Sequence, residues 1–450
     1  MHDLVRRRKS ASHYSRSVRL FGAVSLLFLA ACSESEFILP GERESVLPDA
    51  GFISIDNQAA LEGVGLPQQT LRSDARHPGV TGSHRGGHLN LQSPLTVRWQ
   101  ASVAGVPDET VELAQPIIVG QQVLTLGADA VLTAFNLGTG EVNWSRSIDE
   151  RLDDALPGVA GGVASNGEFV VAHAAFNRLE ALSLQTGDML WAVSHEQPLR
   201  GGPTITDENT AIVTDIDGRI FVYRMNDGEL LWQRAGLPSN TVIFGVPSPA
   251  ASKDRIVIAG AAGEVAVHDS VSGNLVWADS LASFNPRTPL EELGDVRAHP
   301  VIRDSAVIII SQSGRMVSYQ LNSGFPIWEK SVGGIEMPWL AGDTVFVLTL
   351  DGRLYALRDS DGAARWVAEL DGALPLGEIA SNDVPRYVGP IVGDNIVYVL
   401  SSAGQMMAFD VETGVEVSRQ SLGGSLTTPP QVGQGVMAIL LNSGQLQILE

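Results

Sequence analysis

Thr344-Val345-Phe346-Val347-Leu348, then Gly352-Arg353-Leu354-Tyr355-Ala356, then Asp361-Gly362 with Trp366 four residues on: this stretch decides the fold. Val345 to Leu348 are apolar at every position and read as a strand buried on both faces. After a turn at Gly352, Leu354 and Ala356 recur at period two, the mark of a strand with one buried side. Asp361-Gly362 marks a second tight turn, and Trp366 sits on the strand that leaves it. No helical pattern separates the runs, which argues against parallel β-α-β wiring.

The pattern recurs along the chain. Thr139-Gly140 precedes Trp144, Thr186-Gly187 precedes Trp191, and Asp227-Gly228 precedes Trp232. Ser272-Gly273 and Ser323-Gly324 stand likewise before Trp277 and Trp328. Thr413-Gly414 fits too, with Ser418 where Trp is expected. The earlier turn holds Gly218, Gly263, Gly314, Gly404 and Gly444, while Ala130 and Asn177 occupy the first two copies. Alanine resists a positive φ, so the first copy is expected to turn differently.

The second-turn glycines are about 46 residues apart on average, the length of a propeller blade built from short antiparallel strands. The last copy stops after three strands, and Leu95-Thr96-Val97-Arg98-Trp99 supplies the fourth. The expected fold is all-β: an eight-bladed β-propeller of four-stranded antiparallel blades over residues 92–450. It is closed by pairing residues 95–99 with the C-terminal blade, which leaves no open sheet edge there. The repeated Trp residues read as staples between blades.

The N-terminus reads as an address. Arg6, Arg7, Arg8, Lys9, Arg16 and Arg19 precede the apolar run Leu20 to Ala30, which is too short to span a bilayer. It ends in Leu29-Ala30-Ala31-Cys32, a match to the lipobox of bacterial lipoproteins. Residues 1–31 are thus expected to be a lipoprotein signal peptide, and Cys32 the lipidated residue. Ser33 and Glu34 follow, without the Asp that marks inner-membrane retention, so the outer membrane is the expected destination. Residues 32–91, rich in Gly, Pro and polar side chains, read as a flexible tether. His77, His84 and His88 are expected in a solvated loop there, not in a metal site.

Composition narrows the function. With 51 acidic against 30 basic residues the formal charge is −21, a poor match to nucleic acid. A single cysteine excludes an internal disulfide, a Cys-rich zinc site and an iron–sulfur cluster. No phosphate loop, nucleophile elbow or zinc-protease helix motif is present. The expectation is a non-enzymatic chain with no cofactor and no metal.

The [T/S/D]-G-x-x-x-W strand ending resembles the repeat of PQQ-like, quinoprotein-type propellers. Dehydrogenases of that kind imply a pair of adjacent cysteines and insertions around the cofactor, and this chain has neither. Lipobox, tether and compact propeller together resemble the BamB family, lipoprotein subunits of the BAM complex that assembles β-barrel proteins in the outer membrane. That resemblance implies a scaffold anchored by lipid in the inner leaflet of the outer membrane and facing the periplasm. It would dock on the POTRA domains of BamA and support folding and insertion of outer-membrane proteins, with unfolded barrel substrates as further partners.

The family's docking contact uses a Leu-Arg-Gly loop and an acidic loop. Gln197-Pro198-Leu199-Arg200-Gly201 matches the first, with Leu199 as an apolar anchor and Arg200 as a charged donor. Leu293-Gly294-Asp295-Val296-Arg297-Ala298-His299-Pro300 matches the second. Asp295 keeps the carboxylate, while Arg297 stands where a second acid would be. The alternatives are a generic propeller lipoprotein of the envelope, binding another protein or ligand, and a PQQ-dependent dehydrogenase.

Overall fold

The computed structural model describes residues 53–70, 74–103, 113–148, 161–174, 177–236, 247–282, 295–374 and 385–450. The chain divides into two units, 1–49 and 50–450, and every described residue belongs to the second. The signal peptide and Cys32 lie outside the described residues.

Eight four-stranded antiparallel sheets follow one another as blades. Blades 1 to 7 span residues 117–147, 162–194, 199–234, 250–280, 301–330, 339–369 and 387–421. In each, strand order follows chain order from the axis outward. Blade 8 takes three strands from residues 431–449 and its outer strand from Val97–Ser102, which pairs Trp99 with Ile448 and Ser102 with Gln445. The ring closure expected from the sequence is present, displaced by two or three residues.

The second strands are short and apolar because neighbouring blades cover both faces, as in Ala306–Ile310, buried throughout. The outer strands bury little besides their Trp; Leu230–Arg234 exposes both leucines and hides Trp232.

Each Trp ties its blade to the next. Trp144 Nε1 donates to the Leu184 carbonyl at 2.9 Å, and Trp191 to that of Met225 at 2.7 Å. Trp366 reaches the Val411 carbonyl at 2.9 Å, and Trp99 the Leu137 carbonyl at 2.8 Å. The Trp ring lies over the second-turn glycine of the following blade. A Cβ on Gly187 would sit 2.6 Å from the Trp144 ring, and one on Gly414 2.5 Å from that of Trp366. Glycine is therefore required twice over there, for room and for its positive φ. This accounts for Ser418. Blade 8 has no such turn, since its outer strand comes from Val97–Ser102, and Glu450 meets Thr96 through reciprocal backbone bonds of 2.9 Å. A Trp at position 418 would have no glycine to cover.

Two expectations change. Ala130 adopts φ 59, in the same left-handed region as the glycines at its repeat position, so the first copy turns like the others. The described part of the tether, residues 53–70 and 74–91, is packed structure. After the short helix Asn57–Glu62, capped by Asp56, residues 74–89 run around the axis and bond to the inner strand of every blade.

Ala75 exchanges two backbone bonds with Ile118 of blade 1, and the Arg76 carbonyl accepts from Ser165 of blade 2. His77 Nε2 accepts from the Ile205 amide of blade 3 at 3.0 Å, and its carbonyl accepts from Gln431 of blade 8. The Gly82 and Ser83 carbonyls accept from Ala251 of blade 4 and Ile302 of blade 5. Gly87 and Leu89 donate to Leu340 of blade 6 and Val392 of blade 7.

The three histidines are therefore buried, not solvated. His84 Nδ1–H donates to the Pro300 carbonyl at 2.8 Å, and His88 Nδ1–H to that of Pro67 at 2.7 Å. Burial drives the pKa of His84 down to about 4 and that of His77 to about 3, so both are neutral.

Candidate functional site

Leu199 and Arg200 do not form a loop. They open the inner strand of blade 3, Leu199–Ile205, and lie opposite Asp215 and Thr214. Leu199 is 1% exposed and packs among Ala164, Val171 and Val213, so it supports the surface from beneath and is not a free apolar anchor. The register slips between Arg200 and Thr204, where Gly201 takes φ 64. Its carbonyl accepts from His173 Nε2–H at 2.6 Å, which fixes the strand's entry.

Arg200 is 6% exposed. Burial lowers its pKa, and Asp295, Glu264 and Asp215 counter that by holding the guanidinium charged. Asp295 is fully buried, and neither carboxyl oxygen has a hydrogen-bond partner among the described residues. Burial raises its pKa to about 7; Arg297 and Arg200 pull it down and Glu264 pushes it up. The two residues singled out in sequence thus meet in one electrostatic cluster, although 95 positions apart in the chain. Leu293 and Gly294 of the acidic loop lie outside the described residues.

Sequence reasoning missed Glu264. It lines the same seam, and burial raises its pKa. The signal was available: position 264 follows the first-turn Gly263, where other copies have Arg219, Arg315, Arg353, Gln405 and Gln445. Asp215 was also missed; it is held by Arg219 Nε at 2.7 Å and by two backbone amides.

Arg200 and Glu264 border a cavity of about 320 Å³ between blades 3 and 4. Its walls are Ile216, Ile220, Ile258, Ala266 and Ala278. Ala259, Ala261 and Ala266 are too small to fill this seam, so Ile258 stays only half-buried, whereas the equivalent Ile309 and Val347 are buried. The arrangement suits a partner that offers an apolar group to the seam and a carboxylate to Arg200. It offers no nucleophile–base pair. No group of three His, Cys, Asp or Glu among the described residues could hold a metal ion.

The family profile described as outer membrane protein assembly factor BamB matches residues 128–368, more than half the chain. The BamB of Yersinia pestis is 21% identical over 363 residues, covering 79% of this chain and 88% of that protein. The crystal structure of BamB from Moraxella catarrhalis superposes with a TM-score of 0.66 at 19% identity, covering 79% of this chain and 99% of that one. The quinohemoprotein alcohol dehydrogenase of Comamonas testosteroni shares the fold at a TM-score of 0.64 and 14% identity, covering 87% of this chain and 84% of that one. The last likeness is one of fold alone. The chain belongs to the outer membrane protein assembly factor BamB family of PQQ-like propellers.

Proposed function

We propose that this protein is a non-enzymatic scaffold of the machinery that folds and inserts β-barrel proteins in the outer membrane. It is anchored by lipid at Cys32 in the periplasmic leaflet and docks on the POTRA domains of BamA. The observation that carries this reading is the convergence of Arg200, Asp295 and Glu264 at an apolar seam, in a chain of this family. Arg200 supplies a charge-assisted donor, Leu199 holds its strand in place, and Asp295 and Glu264 hold the guanidinium ionised. The outer strands present Leu190, Leu231, Leu275 and Ile327 to solvent on sheet edges, which suits transient pairing with unfolded barrel strands.

The test is a pull-down from detergent-solubilised envelopes with wild type and Arg200→Ala, each checked for native Trp fluorescence. Wild type should retain BamA, and the folded variant should weaken capture by about tenfold or more, the scale of one charge-assisted contact. Leu199→Ala reports on stability instead, with an expected loss of roughly 2–4 kcal/mol for a buried leucine. Absence of BamA with wild type would leave a generic envelope propeller as the reading.

A further inference from the structure

Residues 74–91 close one side of the axis. On the other side the residues leading into the inner strands enclose a central cavity of about 170 Å³, floored by Pro78 and Gly79. Its chemistry differs from that of the rest of this acidic chain. Arg297 enters from the blade 5 side and Arg386 from the blade 7 side, and Glu336 is the one carboxylate among its described lining residues. Each of the three has partners within the protein, but a guanidinium carries five donors, so engagement by a neighbour leaves some to spare.

His299 adds a neutral donor. Its Nδ1 accepts from the Ser248 amide at 2.9 Å, so Nε2 carries the proton. Ser248 lines the same cavity, is 1% exposed, and its Oγ has no hydrogen-bond partner among the described residues. A buried hydroxyl left without a partner is destabilising unless something in the cavity meets it. The remaining wall holds the apolar side chains of Met337, Trp339 and Ile391, with Gln115 and Thr427 as further polar groups. The volume equals roughly six waters, enough for one apolar group with a small head but below the span of a drug-sized ligand.

We propose that the central cavity binds a carboxylate borne on a single apolar group, its acid held by Arg297 and Arg386 with the Ser248 hydroxyl, and its body against Trp339 and Met337. Such a group comes either as a free aryl or alkyl acid or as the last residue of a polypeptide with a free C-terminus. The cavity is distinct from the seam between blades 3 and 4, although Arg297 also acts on Asp295.

The test is calorimetric titration of the full mature chain, in non-ionic detergent, with 3-phenylpropionate and with 3-phenylpropionamide. The acid should bind at one site and the amide about tenfold more weakly, since it forfeits the charge-assisted bonds. Arg297→Gln and Arg386→Gln should each weaken the acid about tenfold at unchanged far-UV dichroism. If either variant fails to fold, Ser248→Ala removes one hydroxyl without changing shape and should weaken the acid about threefold or more.

A hexapeptide ending in phenylalanine, with free or amidated C-terminus, separates the sources. Binding of the free-ended peptide at least as tight as the acid assigns a chain end; binding of the acid alone assigns a small free acid. Equal binding of acid and amide overturns the proposal. So does binding undiminished in every variant, or no binding at about 10 mM acid. The assay contains no docking partner, so its outcome is independent of capture of BamA.

Discussion

The carboxyl of Asp295 is shut away from solvent, and its ordinary value of 3.8 rises to about 7. Below pH 4 the group is neutral both folded and unfolded. Between about 4 and 7 the native state keeps a proton that the unfolded chain has released, so stability falls as pH rises through that window. Asp295→Asn should therefore stabilise the protein by roughly 2–4 kcal/mol at pH 8 and by almost nothing at pH 4. Urea unfolding at the two pH values measures this, and an equal gain at both would refute a buried ionisable acid. The matching docking experiment runs the other way, because the variant removes a charge that faces Arg200: stability should rise while capture of BamA weakens. Under the proposed docking, the destabilising charge is retained because it orients the arginine that a partner would meet.

The segment 74–89 is the element that sequence reading misjudged. Its composition is polar and glycine-rich because its backbone makes the bonds, and only Ala75, Val80 and Leu89 offer apolar side chains to the ring. Hydropathy sees side chains, so a strap held by main-chain hydrogen bonds reads as a linker. The propeller repeat, in contrast, was legible because Gly, Trp and alternating aliphatics recur at fixed offsets, and the closing strand followed from counting. Burial of Leu199 was not legible, since its strand begins early at a bend at Gly201, as the inner strand of blade 7 does at Gly389, and neither glycine belongs to the repeated turns. The strap makes a sharp prediction. A Cβ on Gly86 would lie 2.2 Å from the Trp339 ring, so Gly86→Val should cost roughly 2–4 kcal/mol in thermal or urea unfolding. Arg85→Ala next to it removes only an exposed ion pair to Asp304 and should cost at most about 0.5 kcal/mol. If both variants unfold like wild type, the strap contributes nothing to the ring.

At the scale of the whole molecule, buried histidines spread over several blades and the strap make stability sensitive to acid. Burial holds His77 and His299 at about 3, and His84 and His173 at about 4, against an ordinary 6.5. Folded values below unfolded ones mean that stability is complete above about pH 6.5 and is lost as pH falls toward 4, where the unfolded chain takes up protons first. The melting temperature should be flat above pH 7 and fall steeply from 6.5 to 4.5. His84→Asn keeps a donor for the Pro300 carbonyl and tolerates the native φ of 58, so its decline should be shallower by roughly 1–2 kcal/mol across that range. A parallel decline would show that other groups dominate. The strap also sets a timetable. His77 bonds to Gln431, 354 positions later, and Trp99 lies beside Ile448. The part of the chain that is made first thus cannot find all its partners until the last blade has followed. Until then seven sheets and an unclosed ring edge stand open, so closure is the late, high-contact-order step of folding and the open ring is the form most prone to pair with other chains.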